Sequence, residues 1–364
     1  MHSPLEYLQE HLRTYGLASV CELFDIKSKP HPKYPNLVQL KYSQIDSDMS
    51  EPVVQACRGI VLDSENDWDV ACHVFDKFFN QGDSRCNDLD WPSAKVFEKM
   101  DGSLVQLFHY DDAWHMTTSG SPDGGGIVFN FTKTATMTFS DLFWQTWEEL
   151  KYNSPQNPDI CYSFELCTPY NRVVVDTQDS RIVLLGARNR KTHKEITVKE
   201  ASAGKNWEAV EEYNLKNLTE VLATLEDMNP YEQEGYVVCD KSFNRTKIKS
   251  PKYVAVHHAI GCLSPRNLLE VIRKGEGPEF LAHFKEFKKA YDEIKDKYDK
   301  LVLSIEEDYE KVKHIEDQKE FAAAALAFDV PSALFTLKNG RSHSVKEALS
   351  KVQIKNLERL LDIK

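Results

Sequence analysis

The sequence predicts an α+β fold in which a strand-rich part, residues 1–256, precedes an all-helical part, residues 257–364. Between residues 38 and 256, short runs of β-branched and aromatic residues alternate with Asp, Gly, Asn and Pro, a pattern typical of strands joined by turns. After residue 257, apolar residues recur at steps of three and four, which is typical of amphipathic helices. A chain of 364 residues is long enough for each part to form its own domain.

The elements of the strand-rich part follow from these local patterns. Leu5, Leu8 and Leu12 share one helical face, so a helix is expected over residues 4–15, and a second helix is expected over residues 218–228. The predicted strands are Val38–Tyr42, Gly59–Asp63, Ser103–Tyr110, Trp114–Ser119, Cys161–Leu166, Arg172–Val175, Arg181–Ala187, Tyr236–Cys239 and Thr246–Lys249.

The helical part begins at Ser264-Pro265, where Ser is a good cap and Pro fits the first turn. Further helices are expected over residues 321–328 and 345–363. A heptad-like apolar seam is formed by Phe280, Phe284, Phe287, Tyr291, Ile294, Tyr298, Leu301 and Ile305. The seam is short and rich in aromatic residues, which favours packing within one chain and hence a monomer, although a coiled-coil dimer stays open.

Composition limits the class of protein. Hydrophobic residues make up 41% and charged residues 28%, as in soluble globular proteins, and no apolar run approaches the length of a membrane span. The first residues lack a basic start and an apolar core, so no secretory signal is expected. The 8 cysteines are scattered without a C-x-x-C pair, which argues against a zinc knuckle and favours a reducing cytosol. We therefore expect a cytoplasmic protein without a membrane partner.

The net charge of −12 argues against a protein that coats nucleic acid, because such binding depends on neutralising phosphates. Residues 240–252 nevertheless carry a local excess of positive charge. Either this stretch is a solvated edge strand, or it grips the end of a nucleic-acid strand.

The segment Lys99-Met100-Asp101-Gly102-Ser103, followed by a strand-like run, looks like the nucleophile segment of covalent nucleotidyltransferases. In those enzymes a lysine amine attacks the α-phosphorus of a nucleotide. Alone, a K-x-D-G motif is weak, because a solvated lysine before an Asp-Gly turn is common. Its weight depends on the segments around it.

Other segments occur in the order that this chemistry needs. Arg58-Gly59 enters a strand upstream of the lysine, and Glu165 and Glu234 each place a carboxylate beside or within an apolar strand. Lys247 and Lys249 share one strand face, because side chains alternate along a strand. Each feature alone is more often a solvent-exposed strand residue. Finding all of these segments in this order by chance is much less expected than finding any one of them.

These residue types suit the reaction. A lysine must lose its proton to become a nucleophile, and nearby cations such as Arg58, Lys247 and Lys249 favour the neutral amine. The same cations, with a metal ion, stabilise charge on phosphates. Glu165 and Glu234 offer hard oxygen ligands for Mg²⁺. Asp101 can accept from ribose hydroxyls or orient metal-bound water.

Six segments taken together are more specific than any one of them. They are Cys57-Arg58-Gly59-Ile60, Asp76-Lys77-Phe78-Phe79-Asn80, Lys99-x-Asp101-Gly102-Ser103-Leu104-Val105, Pro169-x-Asn171-Arg172-Val173-Val174, Glu234-Gly235-Tyr236-Val237 and Lys247-Ile248-Lys249-Ser250. Through these segments the sequence resembles, between about residues 36 and 257, the RNA ligase 1 family of T-even phages. The resemblance implies an antiparallel-sheet nucleotidyltransferase domain, an ATP-grasp-like ligase fold, followed by the helical domain.

The resemblance implies an ATP-dependent RNA ligase that uses Mg²⁺ or Mn²⁺. Lys99 would take AMP and release pyrophosphate, the AMP would pass to an RNA 5′-phosphate, and a 3′-hydroxyl would then expel it. The implied partners are RNA ends, either single-stranded RNA or cleaved tRNA, in the host cytosol if the protein is viral. The helical part would contribute RNA specificity.

The resemblance also implies roles for individual residues. Arg58 and Lys77 would contact the ATP phosphates. The implied catalytic set is Lys99, Asp101, Glu165, Glu234, Lys247 and Lys249. The implied ATP-binding set is Tyr42, Arg58, Lys77, Lys99, Gly102, Glu165, Lys247, Lys249 and Tyr253. Metal would be held by Glu165 and Glu234, with Glu276 or Glu279 as a further ligand.

One departure concerns the segment Thr117-Thr118-Ser119-Gly120, where the family often has a basic residue before the glycine. The absence of that cation puts one phosphate contact in doubt. Two alternatives stay open: a capping-type guanylyltransferase, and an inactive RNA-binding relative, against which the presence of Lys99, Glu165 and Glu234 weighs. A DNA ligase is disfavoured because no oligonucleotide-binding barrel pattern follows Lys249.

Overall fold

A computed structural model describes residues 3–129, 135–261, 265–275, 277–283 and 287–363 of the protein. The chain divides into two compact units, residues 1–257 and 258–364. Strands and antiparallel sheets dominate the first unit, whereas the described elements of the second unit are helices.

The strands are β1 (Ile26–Pro30), β2 (Leu37–Tyr42), β3 (Arg58–Asp63), β4 (Asp69–Cys72), β5 (Phe79–Asn80), β6 (Lys95–Glu98), β7 (Ser103–Tyr110), β8 (Ala113–Thr118), β9 (Ile127–Phe129), β10 (Ala135–Thr138), β11 (Ile160–Cys167), β12 (Arg181–Asn189), β13 (Glu195–Ile196), β14 (Glu208–Ala209), β15 (Glu212–Tyr213), β16 (Gly235–Cys239) and β17 (Arg245–Lys249). The helices are α1 (Pro4–Leu23), α2 (Pro52–Ala56), α3 (Phe139–Glu149), α4 (Val198–Ala201), α5 (Leu218–Leu225), α6 (Pro251–Gly261), α7 (Pro265–Lys274), α8 (Gly277–His283), α9 (Lys288–Val312), α10 (Gln318–Ala325), α11 (Pro331–Lys338), α12 (Val345–Ser350) and α13 (Ile354–Leu360).

The first sheet has the order β1-β2-β3-β4 and is antiparallel throughout. Helix α1 covers one of its faces, and Leu5, Leu8 and Leu12 from that helix are buried in the shared core. A capping box between Ser3 and Glu6 begins α1. The helix extends beyond the predicted residues 4–15, with a kink at Gly16 where the backbone leaves helical geometry.

A two-stranded antiparallel sheet of β9 and β10 and two larger sheets complete the described sheets of the first unit. One has the order β13-β12-β11-β7-β8, with β14 added beside β12, and α3 buries Phe143 and Trp147 against it. The other has the order β15-β6-β16-β17-β5, and α5 packs Val221 and Leu225 on it. The expected antiparallel architecture is confirmed in these sheets. Two short additions differ, because β14 runs parallel to β12 and β5 runs parallel to β17.

Most predicted strands agree with the observed ones to within two residues, but a strand over Arg172–Val175 is wrong. The backbone amides of Val174 and Val175 donate to the carboxylate of Asp101 instead of to a neighbouring strand. The apolar run is therefore a loop held by a side chain.

In the second unit, α9 buries Tyr291, Ile294, Tyr298 and Ile305, which belong to the predicted seam. The described part of the seam is divided between α8 and α9, and Val302 is buried where the heptad pattern favoured Leu301. A straight helix of 3.6 residues per turn drifts away from a heptad repeat in this way. Ser264 and Phe284 lie outside the described residues.

The expectation of one helix over residues 345–363 is wrong, since α12 and α13 are separate helices. At the end of helix α12, the backbone amides of Lys351 and Val352 donate to the carbonyls of Ala348 and Leu349 in its last turn. Helix α11 was not predicted. None of the described helices is long and apolar enough to cross a membrane.

Candidate active site

Lys99 lies directly after β6, where that strand pairs with β16. Its backbone amide donates to the carbonyl of Gly235 over 2.9 Å. Its Nζ donates to Oε2 of Glu234 over 2.7 Å, and Nζ of Lys249 lies 2.8 Å from the other carboxylate oxygen. Glu234 is only 3% exposed. One buried carboxylate therefore binds two lysines from different strands.

Strand register explains why these three side chains meet. Gly235 is paired with Lys249, and Tyr236 is paired with Glu98, so the start of β16 lies beside both lysines. Gly235 has a φ of 148°, and a Cβ atom there would collide with the carbonyl oxygen of Ile248. Only glycine fits this close approach without a shift of the backbone. The Glu-Gly pair therefore supplies both the carboxylate and the space that the register needs.

A cluster of cations lies next to this triad. Burial, followed by repulsion from the positive charges of Arg58, Lys77, Lys99 and Lys249, lowers the pKa of Lys247 to about 7. Arg58 and Lys247 approach the same Phe78 ring, at 4.7 and 5.3 Å from its centroid.

Two of these cations have few protein partners. Nη1 of Arg58 is buried and has no hydrogen-bond partner in the described part of the chain, and burial lowers the pKa of that guanidinium. Nζ of Lys77 donates to the Tyr42 hydroxyl over 3.2 Å. Burying positive charge without carboxylate partners is unfavourable, so this cluster is suited to an anionic ligand.

Glu165 projects from β11 and is 9% exposed. Its pKa is raised to about 7, mainly by burial; the charge of Lys99 opposes this shift, and those of Glu234 and Asp101 add to it. No hydrogen bond or ion pair joins its carboxylate to a described residue. A buried carboxylate with these properties is suited to binding a cation.

Glu165 and Glu234 fit a divalent metal ion of the kind that uses one or two carboxylates together with water and substrate phosphates. Among the residues that the structure describes, no group of three or more His, Cys, Asp or Glu side chains forms a metal cage. Glu276 and the side chain of Glu279 lie outside the described residues.

Asp101 has partners other than those expected from the sequence. Its Oδ2 accepts from the amides of Val174 and Val175 over 2.8 and 2.7 Å, and its Oδ1 accepts from the Tyr253 hydroxyl over 2.7 Å. Burial raises the pKa of Tyr253, which keeps that hydroxyl a donor. Asp101 thus fixes a loop and helix α6 beside Lys99. Gly102 lacks room for a side chain, because a Cβ atom would collide with the carbonyl of Leu166.

A cavity of about 570 Å³ opens beside Lys99. Of the predicted site residues, its lining contains Arg58, Lys99, Glu165 and Lys247. The cavity lining does not include the other predicted site residues that the structure describes, namely Tyr42, Lys77, Asp101, Gly102, Glu234, Lys249 and Tyr253. Sequence reasoning missed its apolar walls, because apolar strand residues look the same whether they line a ligand cavity or a core. These walls include Phe75, Phe78, Phe97, Leu104, Leu185, Val198 and Val210.

A family model described as RNA ligase matches residues 56–253. The chain belongs to this RNA ligase family. The match confirms the resemblance expected from the sequence, and it begins just before Arg58 and ends at Tyr253. Helices α7–α13 lie beyond it.

Two curated relatives are similar to this chain. The RNA ligase of Rhodothermus phage RM378 is 25% identical, and the alignment spans 98% of this chain and 97% of the phage protein. A protein of Autographa californica nuclear polyhedrosis virus, described as a bifunctional polynucleotide kinase/RNA ligase, is 28% identical over 75% of this chain. That alignment covers only 41% of the viral protein.

Solved structures are more distant. An archaeal ATP-dependent RNA ligase has a TM-score of 0.43 at 16% identity, covering 75% of this chain and 68% of that one. A Naegleria gruberi RNA ligase mutant with ATP and Mn has a TM-score of 0.33 at 14% identity, covering 46% of this chain and 52% of that one. Both similarities are weak, so family membership rests on the sequence matches.

Proposed function

We propose that this RNA ligase is ATP-dependent and joins an RNA 5′-phosphate to a 3′-hydroxyl through a covalent AMP on Lys99. The observation that carries the proposal is the position of Lys99, whose amine is bound to buried Glu234 at the mouth of a cavity that also holds Arg58 and Lys247. A lysine in this setting has an acceptor for its proton and cations for a phosphate.

The first step transfers AMP to the enzyme. The Lys99 amine forms a bond to the α-phosphorus of ATP, the bond from that phosphorus to the bridging oxygen breaks, and pyrophosphate leaves. Oε2 of Glu234, 2.7 Å from Nζ, is placed to take the proton that the amine loses. Nζ of Lys249 lies 2.8 Å from Oε1 of the same carboxylate and orients it towards Lys99.

Arg58 and Lys247 are proposed to contact the nucleotide phosphates, with Lys77 and Tyr42 beside them. A Mg²⁺ or Mn²⁺ ion held by Glu165 and Glu234 would neutralise further phosphate charge when bound. The apolar walls of the cavity suit a purine base. Asp101 and Tyr253 are proposed to hold the protein around Lys99 rather than to touch the nucleotide.

The later steps use RNA. An oxygen of an RNA 5′-phosphate attacks the AMP phosphorus, and the bond from that phosphorus to Lys99 breaks. A 3′-hydroxyl then attacks the phosphorus of the RNA 5′-phosphate, and AMP leaves. We propose that residues 1–256 perform this chemistry and that an all-helical domain of residues 257–364 contributes specificity for single-stranded RNA or cleaved tRNA. We also propose that the protein acts as a monomer in the cytoplasm, which is the host cytosol if its origin is viral.

The proposal is tested by incubating the purified protein with radiolabelled ATP and Mg²⁺ and separating it under denaturing conditions. We expect one covalent AMP per chain, located on the peptide that contains Lys99, and none on Lys99→Ala. Lys27→Ala is the matched control, because Lys27 is an exposed lysine on β1 and does not line the cavity. Label that persists on Lys99→Ala, or label from GTP and not ATP, would contradict the proposal. Joining of 5′-phosphorylated oligonucleotides then compares single-stranded RNA, a cleaved anticodon stem-loop and DNA.

A further inference from the structure

The amine of Lys41 lies at the turn that follows β8. Lys41 is half-buried on β2, and its Nζ is 3.4 Å from the position that a Cβ atom would take at Gly120. The preceding residue of this turn, Ser119, packs its Cα 2.7 Å from the corresponding Cβ position of Gly59. The turn therefore touches Gly59, the neighbour of Arg58, on one side and Lys41 on the other.

An irregularity in the pairing of β2 with β3 places Lys41 opposite Arg58. Leu40 is paired with Ile60, but the next residue, Lys41, is paired with Arg58, so Gly59 is the extra residue of a bulge. Gly59 has a φ of 84°, the left-handed conformation that glycine adopts readily in bulges. Directly opposed residues of an antiparallel pair lie on the same face of the sheet. The bulge thus brings Arg58 onto the face that carries Lys41.

These two cations lack anionic partners within the described residues. No carboxylate lies within ion-pair distance of Lys41 or Arg58 in that part of the chain, and Nη1 of Arg58 is buried without an acceptor. Arg58 lines the cavity beside Lys99, whereas Lys41 does not. An anion that binds both must extend out of the cavity past Arg58.

We propose that Lys41 binds the outer phosphates of ATP, those that leave as pyrophosphate, while Arg58 and Lys247 bind the phosphate that Lys99 attacks. The inference rests on the proposed function. Residues 117–120 contain no cation of their own, and Lys41 from β2 would supply the positive charge beside this turn. A positive charge at the leaving group stabilises the bond cleavage that releases pyrophosphate.

The test measures the two directions of the first step. We expect Lys41→Ala to raise the ATP concentration needed for half-maximal adenylylation of Lys99 by about tenfold or more, the usual effect of losing a hydrogen bond between charged groups. We expect the same increase for inorganic pyrophosphate when adenylylated protein is converted back to free protein and ATP. Joining of chemically pre-adenylylated RNA should change less than twofold, since no pyrophosphate takes part. Lys41→Arg should restore most of the pyrophosphate dependence.

Lys29→Ala is the matched control, because Nζ of Lys29 donates to Ser121 Oγ over 3.2 Å in the same turn. We expect it to behave like the unaltered protein. An unchanged pyrophosphate dependence in Lys41→Ala, a defect confined to pre-adenylylated RNA, or an equal loss in Lys29→Ala would overturn the assignment. Failure of the unaltered protein to become adenylylated would refute the proposed function instead. Urea denaturation checks that each variant folds.

Discussion

Replacing Lys247 with methionine should stabilise the nucleotide-free protein while damaging adenylylation. Burial, followed by repulsion from neighbouring cations, lowers the pKa of Lys247 from 10.5 to about 7. At about 1.4 kcal/mol per pH unit, this corresponds to about 5 kcal/mol of unfavourable interaction with the charged form. The contact with the Phe78 ring, at 5.3 Å, offsets only about 0.5–1 kcal/mol. Side chains relax around a buried charge, so we expect a net gain of about 2 kcal/mol.

The pH dependence gives this prediction its sign. A lysine whose pKa is lowered by folding weakens the folded state most below that lowered value, and the effect disappears as the pH rises towards the unfolded value. The pKa of Lys247 in the folded protein is about 7. The stability gained by Lys247→Met should therefore be largest below pH 7 and should shrink steadily as the pH rises towards 10.5, the ordinary pKa of a lysine.

The assay is urea denaturation without nucleotide across this pH range. Lys247→Arg keeps the charge and should show no gain. Lys27→Met removes an exposed lysine from β1 and should change stability by less than about 0.5 kcal/mol. Adenylylation by Lys247→Met should fall by at least tenfold. The reasoning is refuted if Lys247→Met is no more stable at neutral pH, or if its gain increases with pH.

Three further predictions concern the same site. Glu165→Gln should be more stable than the unaltered protein by up to about 3 kcal/mol, because burial raises the pKa of Glu165 from 4.5 to about 7. This gain in stability should grow as the pH rises over that interval and then level off. Melting temperatures measured across this pH range check the prediction, and a gain that does not change with pH contradicts it. Tyr253→Phe should cost about 1–3 kcal/mol by removing a donor from buried Asp101, whereas Tyr15→Phe, at an exposed tyrosine, should cost almost nothing in the same denaturation assay. Gly235→Ala should cost at least about 2 kcal/mol and abolish adenylylation, because the new Cβ meets the backbone of β17; retained labelling would show that the register can shift.

Local sequence was enough to predict most strands and the order of the reactive segments. Strand positions depend on short patterns of β-branched and aromatic residues, which the folded sheets preserve. The exception at Arg172–Val175 shows the limit of such patterns, since a carboxylate from the distant Asp101 captures the amides that a strand would pair. Likewise, nothing local distinguishes the end of α12 from a continuing helix.

The arrangement of the site depends on contacts between distant parts of the chain. Glu234 and Lys99 are separated by 135 positions, and only the pairing of β6, β16 and β17 brings their side chains together. The resemblance to RNA ligases indicated that these residues belong to one site, but not that Glu234 is shared between two lysines. Lys41 was missed because its position depends on a bulge that the residue pattern does not reveal.

Because Lys99 and Lys249 share the carboxylate of Glu234, the ion pairs at this site depend on whether Lys99 carries a nucleotide. In the proposed adenylylated protein the Lys99 nitrogen is no longer an ammonium group, so the ion pair between Lys99 and Glu234 is lost. The free and the adenylylated protein would then differ in the charges around a buried carboxylate, without any need for the backbone to move. Because the two lysines share one carboxylate, we expect the position of the Lys249 side chain to differ between these two forms.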